Sequence, residues 1–171
     1  GGVEIVYAST GMTAATPEVV GDVRKKKEAD EAWFADLVKR YTAVYEAGKT
    51  ALAAGDWKAL GEQLDANHAI CQEMTVSCKE LDELVDTARA AGAIGAKMSG
   101  TGRGGLMVAL TPGGETQDAV AKALGGQLAS ASALGAAQKA AAGDGTDETL
   151  TGMMFALRAM LKSGALRTLP A

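Results

Sequence analysis

Residues 92–110 read GAIGAKMSGTGRGGLMVAL, and this stretch decides the fold. Residues 93–98 and 106–110 are short apolar runs of the kind that form strands. Between them lies a segment of glycine and hydroxyl residues, 99–105, called the glycine loop below. The stretch therefore predicts two strands joined by a loop whose backbone turns tightly.

The segment nearest the N-terminus predicts a third strand and a helix. Residues 3–8 are rich in β-branched side chains and favour a strand. A polar turn follows, and Thr16-Pro17-Glu18 then predicts a helix start with Thr16 as the N-cap. Residues 10–16, called the hydroxyl loop below, contain Thr10, Thr13 and Thr16.

Three more helices are predicted before residue 92. Apolar residues recur at steps of three and four along 30–54, which indicates one face of a long helix. Gly55-Asp56 ends it and begins the next. Ser77 and Glu80 have the spacing of a capping box, and Gly92 suits the end of the helix that follows.

This order of elements predicts an α+β domain with helices packed on one face of a small antiparallel sheet. We expect it to span residues 1–126, with a short helix over 115–124. Residues 127–148 are rich in Ala, Gly and Ser and predict a linker. Residues 149–171 hold an amphipathic helix, either a docking helix for a larger complex or, as we favour, the last helix of the domain.

Composition excludes several classes of protein. The 171-residue chain has a net charge of −4, whereas a dedicated nucleic-acid binder is usually basic. No apolar run is long enough to predict a membrane helix. Two cysteines cannot form a disulfide framework, and no signal peptide is recognisable, so we expect an intracellular, reducing compartment. Because the sequence opens inside a predicted strand, we also expect it to be the later part of something longer.

The glycine loop is the strongest candidate for a functional site. Closely spaced glycines allow successive backbone amides to point into one concavity that suits phosphate oxygens. Ser99 and Thr101 add hydroxyl groups, and Lys97 and Arg103 add positive charge. The alternative is a glycine-rich hairpin that binds nothing. The candidate phosphate-binding residues are Lys97, Ser99, Gly100, Thr101, Gly102, Arg103, Gly104 and Gly105.

No catalytic residue and no metal site are predicted. His68, beside Asn67 in a helix, is more often a surface or core residue than a catalyst in such a context. Cys71 and Cys78 lack the further ligands that a zinc site needs.

The motifs resemble those of the GHMP small-molecule kinases. Residues 92–105 are similar to the third motif of that family, and residues 7–16 resemble the strand and threonine-rich loop that open its C-terminal half. With Asn67-His68 and residues 76–84 between them, the resemblance covers residues 3 to about 125. Within the family it points to the kinases that phosphorylate mevalonate.

The resemblance implies a ferredoxin-like C-terminal domain and an enzyme that moves the γ-phosphoryl group of ATP to the 5-hydroxyl of mevalonate with Mg²⁺. It implies that residues 97–105 lie beside the nucleotide phosphates and that Thr10, Thr13 and Thr16 line the substrate side. The phosphate-binding loop, the Mg²⁺ ligand and the catalytic Asp and Lys would belong to an N-terminal half not contained in this sequence. The sequence departs from the family at Arg103, where glycine is common, and after residue 126, where a further strand is usual.

Two functions follow from this resemblance. The first is the C-terminal half of an isoprenoid-pathway kinase, inactive without its N-terminal half. The alternative is a non-catalytic relative kept as a structural or assembly subunit, because the surface left by a missing half would need a protein partner. A free metabolite-binding module ranks last.

Overall fold

The computed structural model describes residues 4–125. The predicted linker, 127–148, and the predicted tail helix, 149–171, lie outside the described residues. The elements in chain order are β1 (Ile5–Ser9), α1 (Thr16–Ala29), α2 (Glu31–Ala54), α3 (Trp57–Glu73), α4 (Lys79–Ala90), β2 (Gly95–Ser99), β3 (Leu106–Leu110) and α5 (Gly114–Ala123). Within the described range, no helix is long and apolar enough to cross a membrane.

The three strands form one antiparallel sheet with β3 in the centre, in the order β1-β3-β2. Its register places Val6 opposite Ala109 and Met98 opposite Met107, so these side chains share a face. That face is buried against α4 and α5 through Leu81, Val85, Ala88, Val120 and Ala121. The predicted α+β arrangement, with helices on one face of a small antiparallel sheet, is confirmed.

The outer edge of β2 is held by helix side chains instead of a fourth strand. The amide of Ala96 donates to Asp65 at 2.9 Å, and Arg89 donates to the Ala96 carbonyl at the same distance. The amide of Met98 donates to Nδ1 of His68 at 3.2 Å. Since buried backbone groups need partners, these bonds fix β2 against α3 and α4 immediately before the glycine loop.

The local signals around α2 are confirmed. Asp30 accepts from the amide of Trp33 at 2.8 Å and so caps the helix, a role not assigned to it in the sequence analysis. Gly55, with φ of 70°, ends the helix in the left-handed region, and Asp56 then caps α3 by accepting from Ala59 at 2.9 Å.

Two predicted helix caps are wrong. Thr16 is the first residue of α1, with Ala15 as the N-cap, and its hydroxyl reaches the glycine loop instead of the helix backbone. The predicted capping box at Ser77 also fails, because α4 begins at Lys79. The Ser77 hydroxyl donates to Asp82 at 2.5 Å, so in both cases another side chain replaces the predicted backbone partner.

Candidate functional site

The hydroxyl loop and the glycine loop are bonded directly to each other. The amide of Thr10 donates to the carbonyl of Gly105 at 2.9 Å, and the amide of Gly105 donates to the carbonyl of Met12 at 2.8 Å. The hydroxyls of Thr16 and Thr101 lie 3.1 Å apart. The structure therefore brings together two segments that lie far apart in the sequence, and Thr13 is exposed between the contact points.

Two glycines of the loop are required by the protein's own packing. A Cβ on Gly102 would lie 1.8 Å from the carbonyl oxygen of Val76, and one on Gly104 would lie 2.7 Å from that of Met12. Both residues also have positive φ. Gly100 differs, because its φ is 86° and a Cβ placed on it would meet no atom within 4 Å. Residues 102 and 104 therefore pack too closely against neighbouring backbone to carry a side chain, whereas residue 100 has space for one.

The loop retains backbone donors for a ligand. The amides of Arg103 and Gly105 donate to the carbonyls of Val76 and Met12. Within residues 4–125, those of Gly100, Thr101, Gly102 and Gly104 make no hydrogen bond. Together with the hydroxyl of Ser99, these donors have the chemistry that phosphate oxygens accept. The residues present therefore fit a nucleotide phosphate.

Arg103 anchors the glycine loop to its neighbours. Its Nη1 lies 2.7 Å from Oδ2 of Asp22 in α1, and its Nε donates to the carbonyl of Thr75 at 3.1 Å. The Arg103 guanidinium, with help from Lys25, holds the pKa of Asp22 below its usual value. The guanidinium is thus directed to α1 in this structure, and its predicted contact with phosphate stays a prediction.

Lys97 leaves β2 on the sheet face opposite the core, in register with Val108. Its ammonium donates to the carbonyl of Met98 at 2.6 Å, and burial lowers its pKa. The side chain lines an apolar cleft beside α2 and α3, and Gly100 lines the same cleft. Lys97 therefore lies next to the glycine loop and beside α2 and α3.

His68 belongs to a network that sequence reasoning missed. Its side chain is 1% exposed, and Nδ1 accepts from the amide of Met98. Nε2 lies 3.1 Å from Oδ1 of Asp82 but without the geometry of a hydrogen bond, while Asp82 also accepts from Ser77. Burial lowers the pKa of His68, although the Asp82 carboxylate opposes this. The imidazole is thus a neutral core group that positions β2, and nothing in the local sequence signals its partners.

The two cysteines are the remaining residues considered in the sequence analysis. Cys71 and Cys78 are free and half-buried, and burial raises the pKa of both thiols. Residues 4–125 contain no group of three or more His, Cys, Asp or Glu that could hold a metal ion.

A shallow pocket of about 350 Å³ lies between the hydroxyl loop and α4. Ser9 and Thr10 form one side of it, and Glu80, Glu83 and Thr87 form the other. Because two carboxylates line it, the pocket by itself repels an anionic substrate. Cations would have to come from outside the described residues.

The comparisons with known proteins agree with this architecture. The family described as "GHMP kinases C terminal" matches residues 49–130. The mevalonate kinase of Pyrococcus horikoshii is 36% identical over 129 residues, which are 72% of this chain and 38% of the relative. The galactokinase of Streptomyces coelicolor is 43% identical over 81 residues, 47% of this chain and 21% of the relative.

Solved structures give the same result. The crystal structure of L. major mevalonate kinase in complex with R-mevalonate superposes with a TM-score of 0.71 and 42% identity, covering 73% of this chain and 38% of that one. The chain thus spans about two fifths of the length of the relatives it matches. Its described residues form a GHMP kinase C-terminal domain, similar to that of mevalonate kinases.

Proposed function

We propose that this chain is the C-terminal half of a kinase that transfers the γ-phosphoryl group of ATP to the 5-hydroxyl of mevalonate, yielding 5-phosphomevalonate for isoprenoid biosynthesis. One observation carries the proposal: a loop with free amides at Gly100, Thr101, Gly102 and Gly104 is bonded directly to a loop of threonine hydroxyls. A phosphate donor and a hydroxyl acceptor can then meet at one place.

The chemistry of phosphoryl transfer suits a site in which the glycine loop binds phosphate and the hydroxyl loop binds the acceptor substrate. The reaction depends mostly on positioning and on stabilising the charge that spreads over the phosphoryl oxygens. Fixed backbone amides do this without rearranging during the reaction. The amides of the glycine loop would hold phosphate oxygens, and the hydroxyls of Thr10, Thr13 and Thr16 would orient the acceptor substrate.

In this proposal the described residues do not complete an active site by themselves. Mg²⁺, bound with ATP, would neutralise phosphate charge, and its ligands, the phosphate-binding loop and the catalytic groups are assigned to an N-terminal half. We therefore expect the isolated chain to be inactive.

The test joins this chain to the N-terminal half of L. major mevalonate kinase, the partner half of a structural relative. Mevalonate-dependent ADP release is measured for the 171-residue chain alone, for the N-terminal half alone and for the fusion. Activity in the fusion only is the expected result. Turnover by the chain alone would contradict the division of tasks, and a folded but inactive fusion would favour the non-catalytic subunit.

A further inference from the structure

A second concave site lies beside β2, and both Lys97 and Met98 of that strand line it. It is a cleft of about 360 Å³, within the range of small-molecule pockets. Its apolar walls come from α2, from the segment after α3 and from β2, namely Phe34, Leu37, Val38, Tyr41, Met74, Val76 and Met98. Its polar lining includes Asn67, Cys71 and Lys97, and none of the residues that line it is acidic.

Among the described residues, Lys97 supplies the only charge in the lining of this cleft. Its ammonium makes no ion pair within residues 4–125 and donates one hydrogen bond, to the carbonyl of Met98. Two of its three donors therefore remain unused. Burial lowers its pKa, because the charged form loses water without gaining a counter-ion. An anionic group on the ligand would replace the stabilisation that the charged ammonium loses when burial removes its water.

The apolar wall continues from the interior of the cleft to its mouth. Leu37 is 3% exposed, whereas Val38 and Tyr41 are 44% and 46% exposed. Exposed side chains of this size on one face of a helix leave apolar surface that an apolar ligand would cover. The cleft thus offers a route from solvent to the ammonium along hydrocarbon and aromatic surface.

We propose that this cleft binds an amphipathic monoanion, a carboxylate on a hydrocarbon chain, with the carboxylate on Lys97 and the chain between α2 and α3. One ammonium matches one negative charge, which separates this ligand from the polyanionic nucleotide proposed for the glycine loop. The two sites adjoin at Gly100, which lines the cleft, but the charge of the cleft is a single cation and its walls are mostly apolar.

The thiol of Cys71 can report whether this cleft is occupied. Cys71 lines the cleft, and Cys78, the second free cysteine, does not. The rate at which iodoacetamide alkylates each thiol is measured by mass spectrometry on the 171-residue chain without nucleotide. The probe is decanoate below its micelle concentration, and 1-decanol is the uncharged control. We expect decanoate to slow alkylation of Cys71 at low concentration, decanol to do so only weakly, and neither to affect Cys78.

Substitution of Lys97 tests whether binding depends on the charge of its side chain or only on its size. Lys97→Met keeps a long unbranched side chain, and we expect it to weaken decanoate protection about tenfold or more while leaving decanol unchanged, because hydrogen bonds to charged groups are among the stronger ones. Lys79→Met removes an exposed lysine of α4 and should change nothing. Circular dichroism and the alkylation rate of Cys78 check that both variants fold.

Three results would overturn the proposal: no protection of Cys71 by decanoate, equal protection by decanol, or undiminished protection in folded Lys97→Met. Because the assay contains no ATP and measures no turnover, its failure leaves the proposed kinase function standing. An inactive fusion likewise leaves this binding site standing. A fusion in which Cys71 is already protected without ligand would also count against it, since the N-terminal half would then occupy the cleft.

Discussion

The hydroxyls of Thr16 and Thr101 lie 3.1 Å apart although 85 residues separate them in the chain. This contact joins the first helix to the loop between β2 and β3, and it accompanies the hydrogen bonds between Thr10 and Gly105. Among residues 4–125, it is the one hydrogen bond between two side chains that joins the loops proposed to hold donor and acceptor substrates. Its strength can be measured.

We expect the Thr16–Thr101 contact to contribute about 0.5–1 kcal/mol to the free energy of unfolding, because both hydroxyls are accessible to water. Thr16→Val and Thr101→Val remove one hydroxyl each at nearly constant volume. Urea unfolding of the two single variants and the double variant forms a double-mutant cycle. Additive losses would show that the contact is not formed in solution.

Substitution of two loop glycines should have different effects. Gly102→Ala places a Cβ against the Val76 carbonyl at a positive φ, so we expect a loss of about 3 kcal/mol or failure to fold. Gly100→Ala meets no atom within 4 Å and should cost only about 1 kcal/mol, the strain of its φ. Thermal and urea unfolding measure both. Equal losses of unfolding free energy in the two variants would contradict the close packing of residue 102 against Val76.

The ion pair between Arg103 and Asp22 should make stability depend on acidic pH. The pKa of Asp22 is lowered in the folded state, so its contribution is complete above the unfolded value of 3.8 and is lost as the pH falls through the lowered folded value. Asp22→Asn should therefore be less stable than the wild type at neutral pH, with a difference that shrinks below about pH 3.8 and at high salt. A pH-independent difference would rule out the ion pair as its cause.

Local signals predicted the parts of this fold that local chemistry determines. Gly55 and Asp56 act within a few residues of their own position, so the end of α2 and the start of α3 followed from the sequence. Element order and the resemblance of the glycine loop gave the fold class. The hydroxyl of Thr16 was assigned to a cap because that partner is adjacent in sequence, whereas its actual partner depends on the tertiary fold.

Long-range polar contacts limited prediction of the site. The bond between Arg103 and Asp22 spans 81 residues that no spacing rule connects. The same holds for His68, whose contacts come from α4 and β2. Such partners are determined by how helices pack on the sheet, which a single sequence does not encode in any local pattern.

His68 offers the most specific pH test, because it is the only histidine in the chain. Burial lowers its pKa below the ordinary value of 6.5 in the folded state, so the unfolded chain binds the proton more readily. The contribution of the neutral imidazole to the free energy of unfolding is thus complete above pH 6.5. It is lost as the pH falls below that value towards the folded pKa. We expect the free energy of unfolding to decline over this range.

His68→Phe should remove that decline while lowering stability at neutral pH, since the Met98 amide loses its buried acceptor. Asp82→Asn should lower the pKa of His68 further, because the carboxylate favours the charged imidazole. Urea unfolding at each pH measures the first effect, and NMR titration of the single imidazole in the wild type and in Asp82→Asn measures the second. A histidine that titrates at or above 6.5 in the folded chain would show that the imidazole is not the neutral acceptor that fixes β2 before the glycine loop.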